Sequence, residues 1–93
     1  MEAELERRIL AAAQRLRQRG ATAVYVFGSV LTGHIRPDSD VDLAVEGLPP
    51  SVFFRAMSEA SRIIGRPVDI LDLDRGDTIA AHVLDSGELN RVA

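Results

Sequence analysis

Residues 28–45 read GSVLTGHIRPDSDVDLAV, and the reading of this stretch decides the fold. A small-residue turn, Gly28-Ser29, is followed ten residues later by Asp40-Val41-Asp42. The run Asp40–Val45 predicts a strand. Strand alternation then puts Asp40 and Asp42 on one face and Val41, Leu43 and Val45 on the other. Aspartate is a poor strand former. Two carboxylates about 4 Å apart also repel by about 4 kcal/mol at an effective dielectric of about 20. A fold keeps such a pair where positive charge sits between them. Magnesium is the natural candidate, a hard ion that takes carboxylate oxygens together with substrate phosphates. The turn suits the same purpose. A glycine at a strand end lets the backbone pass close to a ligand. If Ser29 starts a short helix over Val30–Gly33, its hydroxyl and free backbone N–H groups face outward toward phosphate oxygens. Either half alone is ordinary, since Gly-Ser is commonly just a turn; the pairing at a fixed distance carries the signal.

Working outward, Ala23–Phe27 (AVYVF) is a short run of strand formers, and Glu2–Arg19 predicts a helix before it. Leu5, Ile9, Ala12, Ala13 and Leu16 form its apolar stripe. Acidic residues lead this helix, arginines close it and Gly20 stops it. His34–Ser39 contains Pro37 and predicts a loop. Downstream, Gly47, Pro49 and Pro50 break the chain. Ser51 is expected to cap a helix running to Ile64, with Phe53, Ala56, Met57, Ala60, Ile63 and Ile64 buried and Gly65 as its C-cap. One of the adjacent phenylalanines has to leave that stripe, so Phe54 is expected at the surface, available to a partner. Pro67–Leu73 predicts a third strand, and Thr78–Ser86 a last helix capped by Asp74 or Asp77. The order α-β-(α)-β-α-β-α points to an α/β (α+β) fold, a small mixed β-sheet with helices packed on it.

A third carboxylate, Asp69, sits inside the third predicted strand. If that strand lies beside Asp40–Val45, three carboxylates converge. Two-metal phosphoryl transfer needs that set: two carboxylates holding both ions, and a third that binds one ion and takes the proton of the attacking hydroxyl. Asp72 is the rival for the third place. Alternation puts it on the face opposite Asp69, and with Asp74 it reads as a loop or cap residue.

Composition narrows the function classes. The 93 residues suggest one domain, 1–93, with one thin core and a surface site. Net charge is −3 and the basic residues are all arginine, so a non-specific nucleic-acid track is not expected. There is no cysteine, which excludes disulfides and thiolate metal sites. No apolar run approaches a membrane span and the acidic start is not a signal peptide, so a cytoplasmic protein is expected.

GSVLTGHIRPDSDVDLAV, followed by Val68-Asp69-Ile70, resembles the Gly-Ser-x10-Asp-x-Asp signature of the nucleotidyltransferase superfamily related to DNA polymerase beta. The small size resembles its minimal (MNT) members, the antitoxin halves of HEPN–MNT toxin–antitoxin pairs. The likeness runs from the first helix to the Gly87-Glu88 region. It implies the polymerase-beta-like nucleotidyltransferase fold. It implies that Gly28 and Ser29 contact nucleotide phosphates, that Asp40 and Asp42 bind magnesium in a two-ion site and that Asp69 completes the triad. It further implies transfer of AMP from ATP to a tyrosine of a HEPN ribonuclease, which silences it. One departure stands out. Many relatives carry arginine within the turn, where this chain has Val30, Leu31 and Thr32 before Gly33. Charge for the triphosphate then has to come from Arg36, another arginine or the partner. The alternative function is a non-catalytic antitoxin that inhibits its partner by binding and masking it. Transfer to a small molecule or nucleic acid ranks last, because relatives with those acceptors carry further domains.

Overall fold

Apolar residues recur every three or four positions from Leu5 to Leu16, and the chain coils so that they share one side. In a computed structural model, which describes residues 3–28, 40–75 and 89–93, helix α1 spans Ala3–Gln18. Leu5, Ile9, Ala12, Ala13 and Leu16 are its buried residues. Strand β1 follows at Ala23–Phe27. Strand β2 spans Val41–Glu46, so Asp40 stands just before it rather than as its first residue. Helix α2 spans Phe53–Ile64, strand β3 Val68–Asp72 and the two-residue strand β4 Asn90–Arg91.

The sheet is mixed, in the order β3-β2-β1-β4. β1 is antiparallel to both β2 and β4, and β2 is parallel to β3. Parallel neighbours need a crossover, and α2 supplies it in a β-α-β unit. One face of the sheet is the core. Val24 and Val26 of β1, with Val41, Leu43 and Val45 of β2, are fully buried there with α1 and α2 residues. On the other face, Tyr25, Phe27, Leu71 and Leu89 gather around Ala44 and Leu73.

Two end signals behave differently. Gly65 ends α2 with φ 81°, and its N–H donates to the Ser61 carbonyl at 2.8 Å, as expected of a left-handed cap. Ser51 does not cap α2. Pro50–Val52 forms a 3-10 turn, the α-helix begins behind Val52, and no side chain caps it. The fixed φ of Pro50 starts this tighter turn one step before the serine. Its amides are served by the backbone: Val52 N–H donates to the Pro49 carbonyl at 3.1 Å.

The helices are tied to each other by charge. Two of the three Arg19 guanidinium nitrogens donate to Glu59, Nε to Oε1 and Nη2 to Oε2, each at 2.8 Å. Arg8 Nη1 donates to the Ile64 carbonyl at 3.3 Å, closing the end of α2. β4 was not foreseen in the sequence. It is held by Val92 N–H to the Val24 carbonyl at 2.9 Å and Val24 N–H to the Ala93 carbonyl at 3.0 Å. Among the described residues, no helix is long and apolar enough to cross a membrane. The expected helices at Val30–Gly33 and Thr78–Ser86, and the loop His34–Ser39, lie outside the described residues.

Candidate active site

The expected carboxylates meet at one end of the sheet, where β1 ends and β2 and β3 begin. Asp42 and Asp69 are direct partners in the parallel register. Residues paired this way project from the same face, so the two side chains stand side by side. Val41 N–H donates to the Pro67 carbonyl at 3.0 Å, locking the starts of the two strands together. Across the antiparallel pair, Asp42 faces Phe27, and Gly28 follows at the strand end. Asp40 is exposed, one turn of the pleat before Asp42.

Gly28 has φ 76°, a left-handed conformation that side chains rarely adopt. A Cβ there would stand 2.5 Å from Asp42 Oδ2 and 3.3 Å from its Cγ. Glycine is therefore required twice, by the backbone angle and by the carboxylate pressed against it. The turn and the aspartate form one contact.

The electrostatics follow from this placement. Asp42 is half-buried, and its carboxyl is raised above the ordinary carboxylate pKa. Burial is the largest cause, followed by the charges of Asp69 and then Asp40. Three like charges thus act on one another, and the middle one is the least hydrated. A cation among them would reverse the sign of that interaction. Among the described residues, no three Asp, Glu or His groups already close around one metal position. Magnesium does not need such a cage. It binds through one or two carboxylates, keeps waters and completes its shell with substrate phosphates. Hard carboxylate donors without sulfur or imidazole suit it better than a softer metal.

Asp72 pairs with Val45 on the core side of β3. Its Oδ1 accepts the Asp74 N–H at 3.0 Å, and Asp74 Oδ2 accepts the Gly47 N–H at 2.6 Å. Both are turn-forming residues at the far end of the strand. Ser29 and Arg36, expected to contact nucleotide, lie outside the described residues. Tyr25 is structural and lies on the sheet face opposite Val24 and Val26. Its hydroxyl donates to Glu46 Oε1 at 2.9 Å. That bond, then burial, raise its pKa.

A family model described as polymerase beta, nucleotidyltransferase, matches residues 12–89. Among solved structures, one described as a minimal nucleotidyltransferase is 31% identical, with a TM-score of 0.72, covering 90% of this chain and 87% of its own. A toxin–antitoxin crystal structure with AMP-PNP has a TM-score of 0.75 at 22% identity, covering 95% of this chain and 72% of its own. A chain from the tri-AMPylated HEPN toxin of Shewanella oneidensis in complex with MNT antitoxin has a TM-score of 0.71 at 17% identity. The match to it covers 96% of this chain and 71% of that one. No curated protein matches the chain.

Proposed function

Because this chain belongs to the polymerase-beta nucleotidyltransferase family, we propose that it is a magnesium-dependent protein adenylyltransferase, the antitoxin of a HEPN-type toxin. The observation that carries this is Asp42 set directly beside Asp69, with Gly28 packed against the Asp42 carboxylate. That end of the sheet combines a close backbone approach with clustered hard ligands. The complexes of HEPN toxin and MNT antitoxin among its structural likenesses supply the partner class.

In this proposal Asp40, Asp42 and Asp69 would hold magnesium, as the resemblance to two-ion nucleotidyltransferases implies. When bound, the metal neutralises phosphate charge and orients the nucleotide. Gly28 and Ser29 give backbone room and donors to the triphosphate of ATP, and Arg36 adds charge. A tyrosine hydroxyl of the toxin is the acceptor. Its oxygen bonds to the α-phosphorus, the bond from that phosphorus to the bridging oxygen of the β-phosphate breaks, and pyrophosphate leaves. Asp69, exposed at the strand start, takes the phenolic proton. The chain acts as a single nucleotidyltransferase domain, with acceptor recognition supplied by the toxin.

The test is the intact mass of the toxin after incubation with this chain, ATP and magnesium. A gain of one or more AMP units, absent with an Asp40→Asn, Asp42→Asn double variant, supports the proposal. A tight complex that silences the toxin with no gain in mass overturns it in favour of masking.

A further inference from the structure

β3 ends the sheet in the order β3-β2-β1-β4, so one side of it has no neighbouring strand. Val41 N–H donates to the Pro67 carbonyl, and this bond sets the alternation along β3. The main-chain groups of Asp69 and Leu71 turn toward β2, and those of Val68, Ile70 and Asp72 turn outward. Among the described residues, nothing is hydrogen-bonded to these outward groups. The strand carries no proline and no bulge, two of the devices that close an open edge. α2 lies along the same edge. Phe54, Met57, Ser58, Ser61 and Gly65 follow one another at helical spacing around a groove of about 660 Å³ that ends on Val68. Phe54 is 79% exposed and also borders Asp72, at the other end of β3. This side of α2 is therefore large at the Asp72 end and small at the Val68 end.

We infer that this edge pairs with the same edge of a second copy of the chain, about a two-fold axis that passes through Ile70 perpendicular to the sheet. Antiparallel pairing centred on Ile70 sets Val68 opposite Asp72 of the second copy, and Asp69 opposite its Leu71. The whole of β3 is used, and no carboxylate directly faces another. Centring the pair on Asp69 instead would set the two Asp69 side chains opposite each other, where like charges repel. The same rotation runs the two α2 helices antiparallel on one side of the joined sheet. Phe54 of each then meets Ser61 and Gly65 of the other, large against small. A foreign strand would bond the edge but leave the phenylalanine exposed. A foreign helix would cover the phenylalanine but leave the edge unbonded. A second copy brings a strand and a helix at the spacing both need. Asp42 and Asp69 stay accessible, because a strand added at the edge lies beside their face of the sheet and not over it. The inference is independent of the adenylyltransferase proposal.

The experiment is sedimentation velocity of the full chain over a range of concentrations, with amide hydrogen exchange followed by NMR on the same samples. Wild type is expected to approach twice the 10.1 kDa of one chain as concentration rises. Exchange at the Val68, Ile70 and Asp72 amides should slow over the same range. Phe54→Ser removes the ring, and Ser58→Arg crowds the middle of the helix pair. Each should weaken association by about tenfold or more, the loss typical of an interface anchor. Both positions are exposed, so thermal unfolding of the dilute chain should be unchanged and confirms that the variants are folded. Asp69→Asn acts the other way. The two Asp69 side chains become diagonal neighbours about 7–8 Å apart, and removing their charge should tighten the pair by about twofold. A chain that stays monomeric at every concentration overturns the inference. So does a dimer in which the Ile70 amide is unprotected or in which neither Phe54→Ser nor Ser58→Arg weakens association. Protection of that amide only on adding a HEPN-type toxin also overturns it, and gives the edge to that partner.

Discussion

Glu59 and Asp42 are both half-buried carboxylates, and the fold treats them in opposite ways. Glu59 lies between the helices with the Arg19 guanidinium on both its oxygens, and its pKa is lowered, first by that hydrogen bond. Asp42 lies at the sheet end with Asp69 and Asp40 around it, and its pKa is raised. The first region brings its own counter-charge and gains cohesion. The second gathers like charges on a rigid strand pair and holds them there. Carboxylates serving structure alone would be arranged like Glu59. The contrast marks the strand ends as the candidate site without reference to any relative.

The comparison can be broken most sharply at Asp42. Asp42→Asn is expected to lower AMP transfer to the toxin by about a thousandfold, since a metal contributes several kcal/mol to the transition state. The same variant should melt at a higher temperature than wild type in metal-free buffer, because it removes a repelled charge. Loss of both activity and stability would show Asp42 to be structural. On the core side of the same strand, Leu43→Ala should cost about 2–5 kcal/mol. At about 4–8 °C per kcal/mol for a domain this size, the melting temperature falls by about 10 °C or more. Circular dichroism on heating measures it.

Gly28→Ala sharpens the comparison further. The new Cβ has to displace the Asp42 carboxylate, and a misplacement of about 1 Å costs about a hundredfold in rate. The smallest effect is the one of opposite sign. Glu59 releases its proton more readily in the folded chain, so its contribution is present above the ordinary carboxylate pKa of about 4.3 and is lost as pH falls through the lowered folded value. Asp42 keeps its proton to higher pH in the folded chain. Its ionisation therefore costs stability above the raised value, and the cost disappears as pH falls toward about 3.9. Urea unfolding should show Glu59→Gln destabilised and Asp42→Asn stabilised near pH 7. Both differences should shrink toward acid pH.

Much of the fold could be read from periodicity. The run of strand formers AVYVF sets β1, the stripe from Leu5 to Leu16 sets α1, and the glycine at 65 ends α2. The paired faces of β2 followed from Asp42 and Leu43 having incompatible solvation. β4 could not be read, because Asn90-Arg91 has no apolar pattern and is a strand only through its pairing with Val26 and Tyr25 of β1. Ser51 misled because a cap preference is worth about 1 kcal/mol, which a proline beside it overrides. At the site, spacing tied Asp40 and Asp42 to the Gly-Ser turn, and Asp69 was added as an aspartate inside an apolar predicted strand. The register that puts Asp42 opposite Asp69 depends on which strands become neighbours, and no local pattern encodes that. The contact between Gly28 and Asp42 was equally hidden, since it arises from the antiparallel pairing of β1 with β2.

The parallel pairing of β2 with β3 leaves Asp42 and Asp69 far apart along the chain, joined only when α2 has closed across the sheet. An unfolded copy has neither the neighbourhood nor its repulsion. Any cation that relieves the crowding thus recognises the native chain alone, and stabilises it by an amount that grows logarithmically with ion concentration above the dissociation constant. If the cluster takes the divalent ion proposed for it, the folded population becomes a gauge of its ionic surroundings, least secure where such ions are scarce.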